Sequence, residues 1–143
     1  MTDRISLDHM PGHLIRRLQQ QSTAVFQDRI KHAGFEVTSV QFAALETLSH
    51  KGEMDQAALA RRIACDRATT GGVVKRLEAR GLIRRVPDAT DRRAFRLSLT
   101  EEGNALLTAL RPVVAQAQEA ILPGLTGAER ARFLSLASKA LEP

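Results

Sequence analysis

Between Asp55 and Thr100 the hydrophobic period changes from helical to alternating, and that change restricts the fold more than any other feature of this 143-residue chain. Asp55 and Asp66 each stand where a side-chain carboxylate can cap a helix. The apolar residues after them predict short helices over about 56–63 and 67–80. Gly81 follows at the position of a helix-terminating glycine. Leu82-Ile83-Arg84-Arg85-Val86 and Phe95-Arg96-Leu97-Ser98-Leu99 then read as two strands, the second in strict alternation, joined by the polar, turn-rich stretch Pro87–Ala94. Two helices separated by a short turn and followed by a hairpin are the elements of a winged helix.

The flanks are helical. Leu14, Leu18, Val25 and Ile30 mark an amphipathic helix that Pro11 can open and Gly34 ends. Thr38 and Gln41 form a capping box at the start of a second helix, with Val40, Leu45 and Leu48 on its apolar face and Gly52 at its end. Thr100 caps a long helix to about Leu122, with Glu101 and Glu102 where the helix dipole favours acids and Pro112 expected to bend it. After Pro123-Gly124, Thr126 and Glu129 form a second capping box that opens a last helix to about Leu141.

The predicted fold is therefore mainly α with a small β-hairpin wing, a winged helix-turn-helix with additional helices at both ends. Residues 1–143 form one protomer, with a winged-helix lobe over 38–100 and helical regions over 8–34 and 101–143. Those outer helices carry Leu106, Leu107, Leu110, Val114, Ile121, Phe133, Leu134, Leu136 and Leu141. Pairing across a two-fold axis buries such faces, which predicts a homodimer.

Charge is distributed unevenly. The chain has a formal net charge of +5, yet Arg61–Arg96 alone holds 11 Lys/Arg against 4 Asp/Glu. The remainder is slightly acidic, so the excess positive charge sits in the predicted helix pair and hairpin, as expected for a polyanion partner. With no Trp, no Tyr and only five Phe, the chain lacks the aromatic platforms on which single-strand binders stack bases, which favours a duplex.

An ordered set of sequence blocks resembles the multiple-antibiotic-resistance regulator (MarR) family over about the whole chain. The blocks are Leu59-Ala60-Arg61-Arg62-Ile63, then Val74-Lys75-Arg76-Leu77-Glu78-Ala79-Arg80-Gly81-Leu82-Ile83-Arg84-Arg85, then Asp91-Arg92-Arg93, then Leu97-Ser98-Leu99-Thr100-Glu101-Glu102-Gly103. The resemblance implies a dimeric regulator of transcription, most often a repressor, on double-stranded DNA with a pseudo-palindromic operator. In that setting the start of the recognition helix offers Arg67, Thr69 and Thr70 to base edges or phosphate, and Lys75 and Arg76 further along to phosphate. Lys75 reads equally as part of a solvated helix face. At the wing, Arg93 would enter the minor groove, with Arg92 beside it and Asp91 holding the loop by pairing with a nearby arginine such as Arg92. Gly71-Gly72 departs from the bulkier polar residues of the family. The pair either lets the helix approach the duplex or the preceding helix closely, or is tolerated drift.

Met10-Pro11-Gly12-His13-Leu14-Ile15-Arg16-Arg17 resembles the start of family members that control aromatic-acid catabolism. This likeness implies release from DNA by a small aromatic carboxylate of hydroxybenzoate, cinnamate or hydroxynicotinate type. His13 with Arg16 or Arg17 lies on one helix face and can hold a carboxylate through charge-assisted hydrogen bonds, or can form intersubunit salt bridges. An activator, a redox- or stress-responsive regulator of the same fold, and a nonspecific architectural DNA binder are the alternatives.

No phosphate loop, nucleophile elbow or metal-ligand cluster is present, so neither an enzyme nor a cofactor is expected. His9 and His13 have a metal-like spacing, but Pro11-Gly12 interrupts it. Cys65 precedes the recognition helix, as a small buried residue or a thiol activated by Arg67. The opening Met-Thr-Asp-Arg-Ile-Ser has no secretory apolar stretch and no run reaches the roughly 18 apolar residues of a membrane span, which predicts a cytoplasmic protein without membrane contact.

Overall fold

A computed structural model describes residues 4–143; the first three, on which part of the leader expectation rests, lie outside the described residues. After a 3-10 turn at Leu7–His9 come α1 (Pro11–His32), α2 (Ser39–Lys51), α3 (Gln56–Arg62), α4 (Arg67–Ala79), the strands β1 (Ile83–Pro87) and β2 (Phe95–Leu99), α5 (Glu101–Ala120) and α6 (Gly127–Ala140). The expected class is present, mainly α with one hairpin. Among the described residues no helix is long and apolar enough to cross a membrane.

Every expected cap is formed. Thr38 and Gln41, and Thr126 and Glu129, exchange side-chain and backbone hydrogen bonds, while Asp55, Asp66 and Thr100 accept from Ala58, Thr69 and Gly103. The strands pair antiparallel with Ile83 opposite Leu99 and Pro87 opposite Phe95. Met54, in the connection between α2 and α3, exchanges two backbone hydrogen bonds with Leu97 and adds a third edge to the hairpin.

Two apolar clusters support this frame. One joins Leu45, Leu48, Leu59, Val73, Val74, Leu77, Ile83 and Leu97 from α2–α4 and the hairpin, and Leu107 of α5 enters it. The other packs Phe26 and Ile30 of α1 against Leu110 and Val114 of α5. Leu107, Leu110 and Val114 were expected to lie open until a second subunit covered them. They are instead buried within one protomer, because α1 and α2 lie against that face of α5. An amphipathic pattern shows that a face is buried but not which neighbour buries it.

Apart from Phe95 on β2, the large apolar side chains that remain open lie toward the two ends of the chain. Ile5, Leu7, Leu14 and Ile15 are exposed near the start, as are Leu134, Leu136 and Leu141 on or just after α6, a helix with no buried residue. Arg130 holds α6 against the end of α5 by donating to the carbonyls of Gln118, Glu119 and Leu122. Pro112 lies inside α5, which continues through it.

Candidate nucleic-acid interface

The turn from α3 to α4 is short because α3 closes tightly. Cys65 N–H donates to Ala60 and Ala64 N–H to Arg61, with Ala64 at φ +56°, a left-handed position more often held by glycine. Asp66 then caps α4, its carboxylate 2.6 Å from Thr69 N. That backbone N–H, with the Thr69 hydroxyl, holds the Asp66 carboxyl below its ordinary range, so it stays ionised at the positive end of the helix dipole. Cys65 is half-buried, its thiol 3.6 Å from the Ile63 carbonyl.

Thr70, Val73, Val74 and Leu77 face the core. This corrects Thr70 as a candidate contact. Its side chain is fully buried and its hydroxyl donates to the Asp66 carbonyl at 2.8 Å. The spacing of Thr70, Val73, Val74 and Leu77 is itself a helical stripe, so the signal was present in the pattern. Arg67, Thr69, Lys75 and Arg76 are all exposed on the remaining surface of α4.

Glycine at 71 and 72 is not required by packing. A Cβ on Gly71 would meet only the end of the Gln56 side chain at 3.4 Å, and one on Gly72 only the end of Arg76 at 3.7 Å. Close approach of α4 to α3 therefore does not explain the pair. Gly71→Ala and Gly72→Ala should each raise stability by about 1 kcal/mol through helix propensity. Urea denaturation of the free protein checks this; a lowered midpoint in either variant would contradict it.

The wing is a hairpin whose loop is held by its own aspartates. Asp88 accepts from both the N–H (2.9 Å) and the hydroxyl (2.8 Å) of Thr90, while its own N–H donates to the Ala94 carbonyl. These bonds, and to a smaller degree Arg96, keep the Asp88 carboxyl below its usual range. Asp91 accepts from the backbone N–H of Arg93 at 3.0 Å. Its partner is thus the backbone, not the Arg92 guanidinium, because an aspartate reaches a backbone N–H two residues on with no long side chain to order.

The electrostatic pattern is one-sided. All four acids of Arg61–Arg96 are engaged, Asp66, Asp88 and Asp91 with backbone N–H groups and Glu78 with Arg85 at 3.0 Å. Arg67, Lys75, Arg76, Arg92 and Arg93 are exposed and make no side-chain hydrogen bond or ion pair to any described residue. Such an array is complementary to a phosphate backbone, which rewards cations that need not leave a partner. Two further arginines of the segment are occupied: Arg80 donates to the Glu36 carbonyl, and Arg96 to the Glu53 carbonyl. Their roles were not legible because both partners lie more than forty residues away.

His13, Arg16 and Arg17 fall on the first turns of α1, with His13 partly covered and both arginines exposed. Two open clefts run along the protomer, one beside Glu46, His50 and Arg62, the other beside Ile30, Phe35, Arg76 and Arg80. The three N-terminal residues line neither. Among the described residues no group of His, Cys, Asp and Glu is arranged to hold a metal ion.

A model of the MarR family matches residues 37–95, the segment from the loop before α2 to the start of β2. The HTH-type transcriptional repressor NicR of Pseudomonas putida is 40% identical over 131 residues, covering 92% of this chain and 82% of that one. The chain belongs to the MarR family. Two solved structures match its fold closely. BpsR of Bordetella bronchiseptica, whose structure concerns regulation of DNA binding by 6-hydroxynicotinic acid, has a TM-score of 0.90 and 32% identity, covering 98% of this chain and 99% of that one. PcaV of Streptomyces coelicolor, in complex with its natural ligand, has a TM-score of 0.86 and 34% identity, covering 97% and 96%. In this MarR-family winged helix, α3 and α4 form the helix pair and β1–β2 the hairpin wing.

Proposed function

We propose that this protein is a cytoplasmic repressor that binds a pseudo-palindromic operator as a homodimer and releases it when a small aromatic carboxylate binds. The array of exposed, unpartnered cations on α4 and the wing carries the DNA-binding part: Arg67 and Thr69 toward base edges, Lys75 and Arg76 toward phosphate, Arg93 with Arg92 in the minor groove, and Asp91 shaping the loop. Dimerisation is supported by the apolar residues left open toward both ends of the chain, which a second copy would cover. Two-fold symmetry then sets half-sites about 34 Å apart or at a multiple of that distance. The polar groups concentrate on a helix start and a hairpin loop, which suits binding and not catalysis.

The effector class rests on the likeness to BpsR and on the first turns of α1. Hydroxynicotinate type ranks first, with hydroxybenzoate and cinnamate types next. Arg16 and Arg17 supply charge and His13 a ring N–H for a carboxylate beside the exposed apolar Leu14 and Ile15, a surface that a dimer would enclose. An effector acts only through its preference for the form that does not fit DNA.

The test is fluorescence anisotropy on a duplex selected by the protein from a random pool, at fixed salt. Saturating 6-hydroxynicotinate is expected to weaken binding by about tenfold or more, a usual size for allosteric coupling. His13→Ala and Arg16→Ala are expected to keep DNA affinity and lose that response. A duplex affinity unmoved by hydroxynicotinate, hydroxybenzoate and cinnamate alike would refute the effector, and a monomer by sedimentation at micromolar concentration would refute the dimer.

A further inference from the structure

The cations of the wing loop can meet a duplex only if the loop is held at one height above it, and the loop's own hydrogen bonds shape it without anchoring it. The anchor lies on β2. Arg96 points its guanidinium to the corner where the hairpin, the wing loop and the α2–α3 connection meet. Its Nη2 donates to the Glu53 carbonyl at 2.5 Å, its Nε lies 3.9 Å from the Glu53 carboxylate, and its Nη1 lies 4.0 Å from Asp88 Oδ2. The two oxygens of Asp88 divide the work, because Oδ1 takes both donors of Thr90 and Oδ2 faces Arg96. The next residue, Leu97, is bonded in both directions to Met54, so the Glu53 carbonyl is a fixed point three residues before α3.

We propose that Arg96 is the positioning residue of the wing, clasping the loop at Asp88 to the backbone at Glu53 and so setting where Arg92 and Arg93 stand relative to the helix-turn-helix. This rests on the reading of the wing as a DNA contact. Arg96 is a poor contact itself, because the carboxylates of Glu53 and Asp88 flank it and outweigh its charge. Only a planar fork spans a carbonyl on one side and a carboxylate on the other; an ammonium acts as a single point. Ion pairs this open to solvent stabilise a fold little, so the clasp matters for geometry more than for stability. Arg85, the other arginine of the hairpin with an acidic partner, ties β1 to α4 through Glu78 and therefore fixes the root of the wing, not its loop.

The experiment measures affinity for a duplex selected by the wild-type protein, alongside the melting temperature of each variant. Arg96→Ala and Arg96→Lys are expected to weaken binding about tenfold with the melting temperature nearly unchanged. Asp88→Asn decides between geometry and charge. It keeps an oxygen for Thr90 but removes a negative charge, so electrostatics alone would tighten binding to DNA, whereas loss of the clasp is expected to weaken it. In a double-mutant cycle, Arg96→Ala should cost nothing further once Arg93 and Arg92 are alanine. Full additivity would make Arg96 a direct DNA contact and overturn the proposal, as would tighter binding by Asp88→Asn or unchanged binding by Arg96→Ala. If Arg92→Ala and Arg93→Ala bind as well as wild type, the wing reading itself fails and the proposal falls with it, a result distinct from those three.

Discussion

Gly103→Ala is expected to destabilise the protein by about 3 kcal/mol or more, beyond the usual range for adding one methyl group to a packed site. A Cβ at this position would lie 2.1 Å from the Leu82 carbonyl oxygen and 2.8 Å from Leu99 Cδ1. The oxygen cannot give way easily. It accepts from Thr100 N–H, while the Leu82 N–H donates to the Leu77 carbonyl in the turn that ends α4. Gly81, at φ +72° in that turn, offers its own carbonyl to the Thr100 hydroxyl, and the same hydroxyl oxygen accepts from Gly103 N–H. The end of α4, the root of the hairpin and the start of α5 are thus locked together over a few ångströms, and only the absence of a side chain at 103 lets them close. Because α5 also carries Leu110 and Val114 into the core shared with α1, loosening this joint should uncouple the winged helix from the outer helices. Urea denaturation at fixed protein concentration measures the effect. Gly12→Ala, where a Cβ meets nothing within 4 Å, is the matched control and should not destabilise. Equal midpoints for Gly103→Ala and wild type would show that the joint can open without penalty.

Arg93→Ala is expected to weaken operator binding ten- to a hundredfold at fixed salt, about 1.4 to 2.8 kcal/mol, and to reduce the salt dependence by about one counterion. The loss should be greatest on sites with A·T-rich sequence under the wing, where a narrow minor groove concentrates negative potential. Arg93 is suited to this because its backbone is fixed by Asp91 while its guanidinium has no partner among the described residues to give up. A Lys75→Ala variant provides the comparison. A lost phosphate contact lowers affinity nearly equally on all sequences, whereas a lost groove contact changes the preference among them. Anisotropy titrations on duplexes that differ only beneath the wing distinguish the two, and identical affinities for Arg93→Ala and wild type would remove Arg93 from the interface.

The helix starts were legible because capping is local. Asp55, Asp66, Thr100 and the pairs Thr38–Gln41 and Thr126–Glu129 each bond within three residues, so the residue types and their spacing were sufficient. The hairpin was legible for a similar reason: alternation in Phe95–Leu99 marks the buried Leu97 between more open neighbours. Thr70 stands near the helix start, where groove contacts are expected, but its phase with Val73, Val74 and Leu77 turns it into the core. For Asp91 the residue types suggest a guanidinium partner, but the Arg93 N–H within its own turn is closer at hand and takes that place.

By itself the sequence determined which segments are helix and strand, where they begin, and that the positive charge gathers in α3, α4 and the wing, since all of these depend on neighbours along the chain. It also marked Gly81 as a helix-terminating glycine, whereas Gly103 stood out only within the block that resembles the MarR family. Only the tertiary structure decided which faces meet: that Leu107, Leu110 and Val114 are buried within the protomer, that the oxygen of Leu82 is what excludes a side chain at 103, and that Arg96 reaches Glu53. Those contacts join residues far apart in the chain. Local pattern states that a side chain needs a partner, but the choice of partner is made when the helices close on one another.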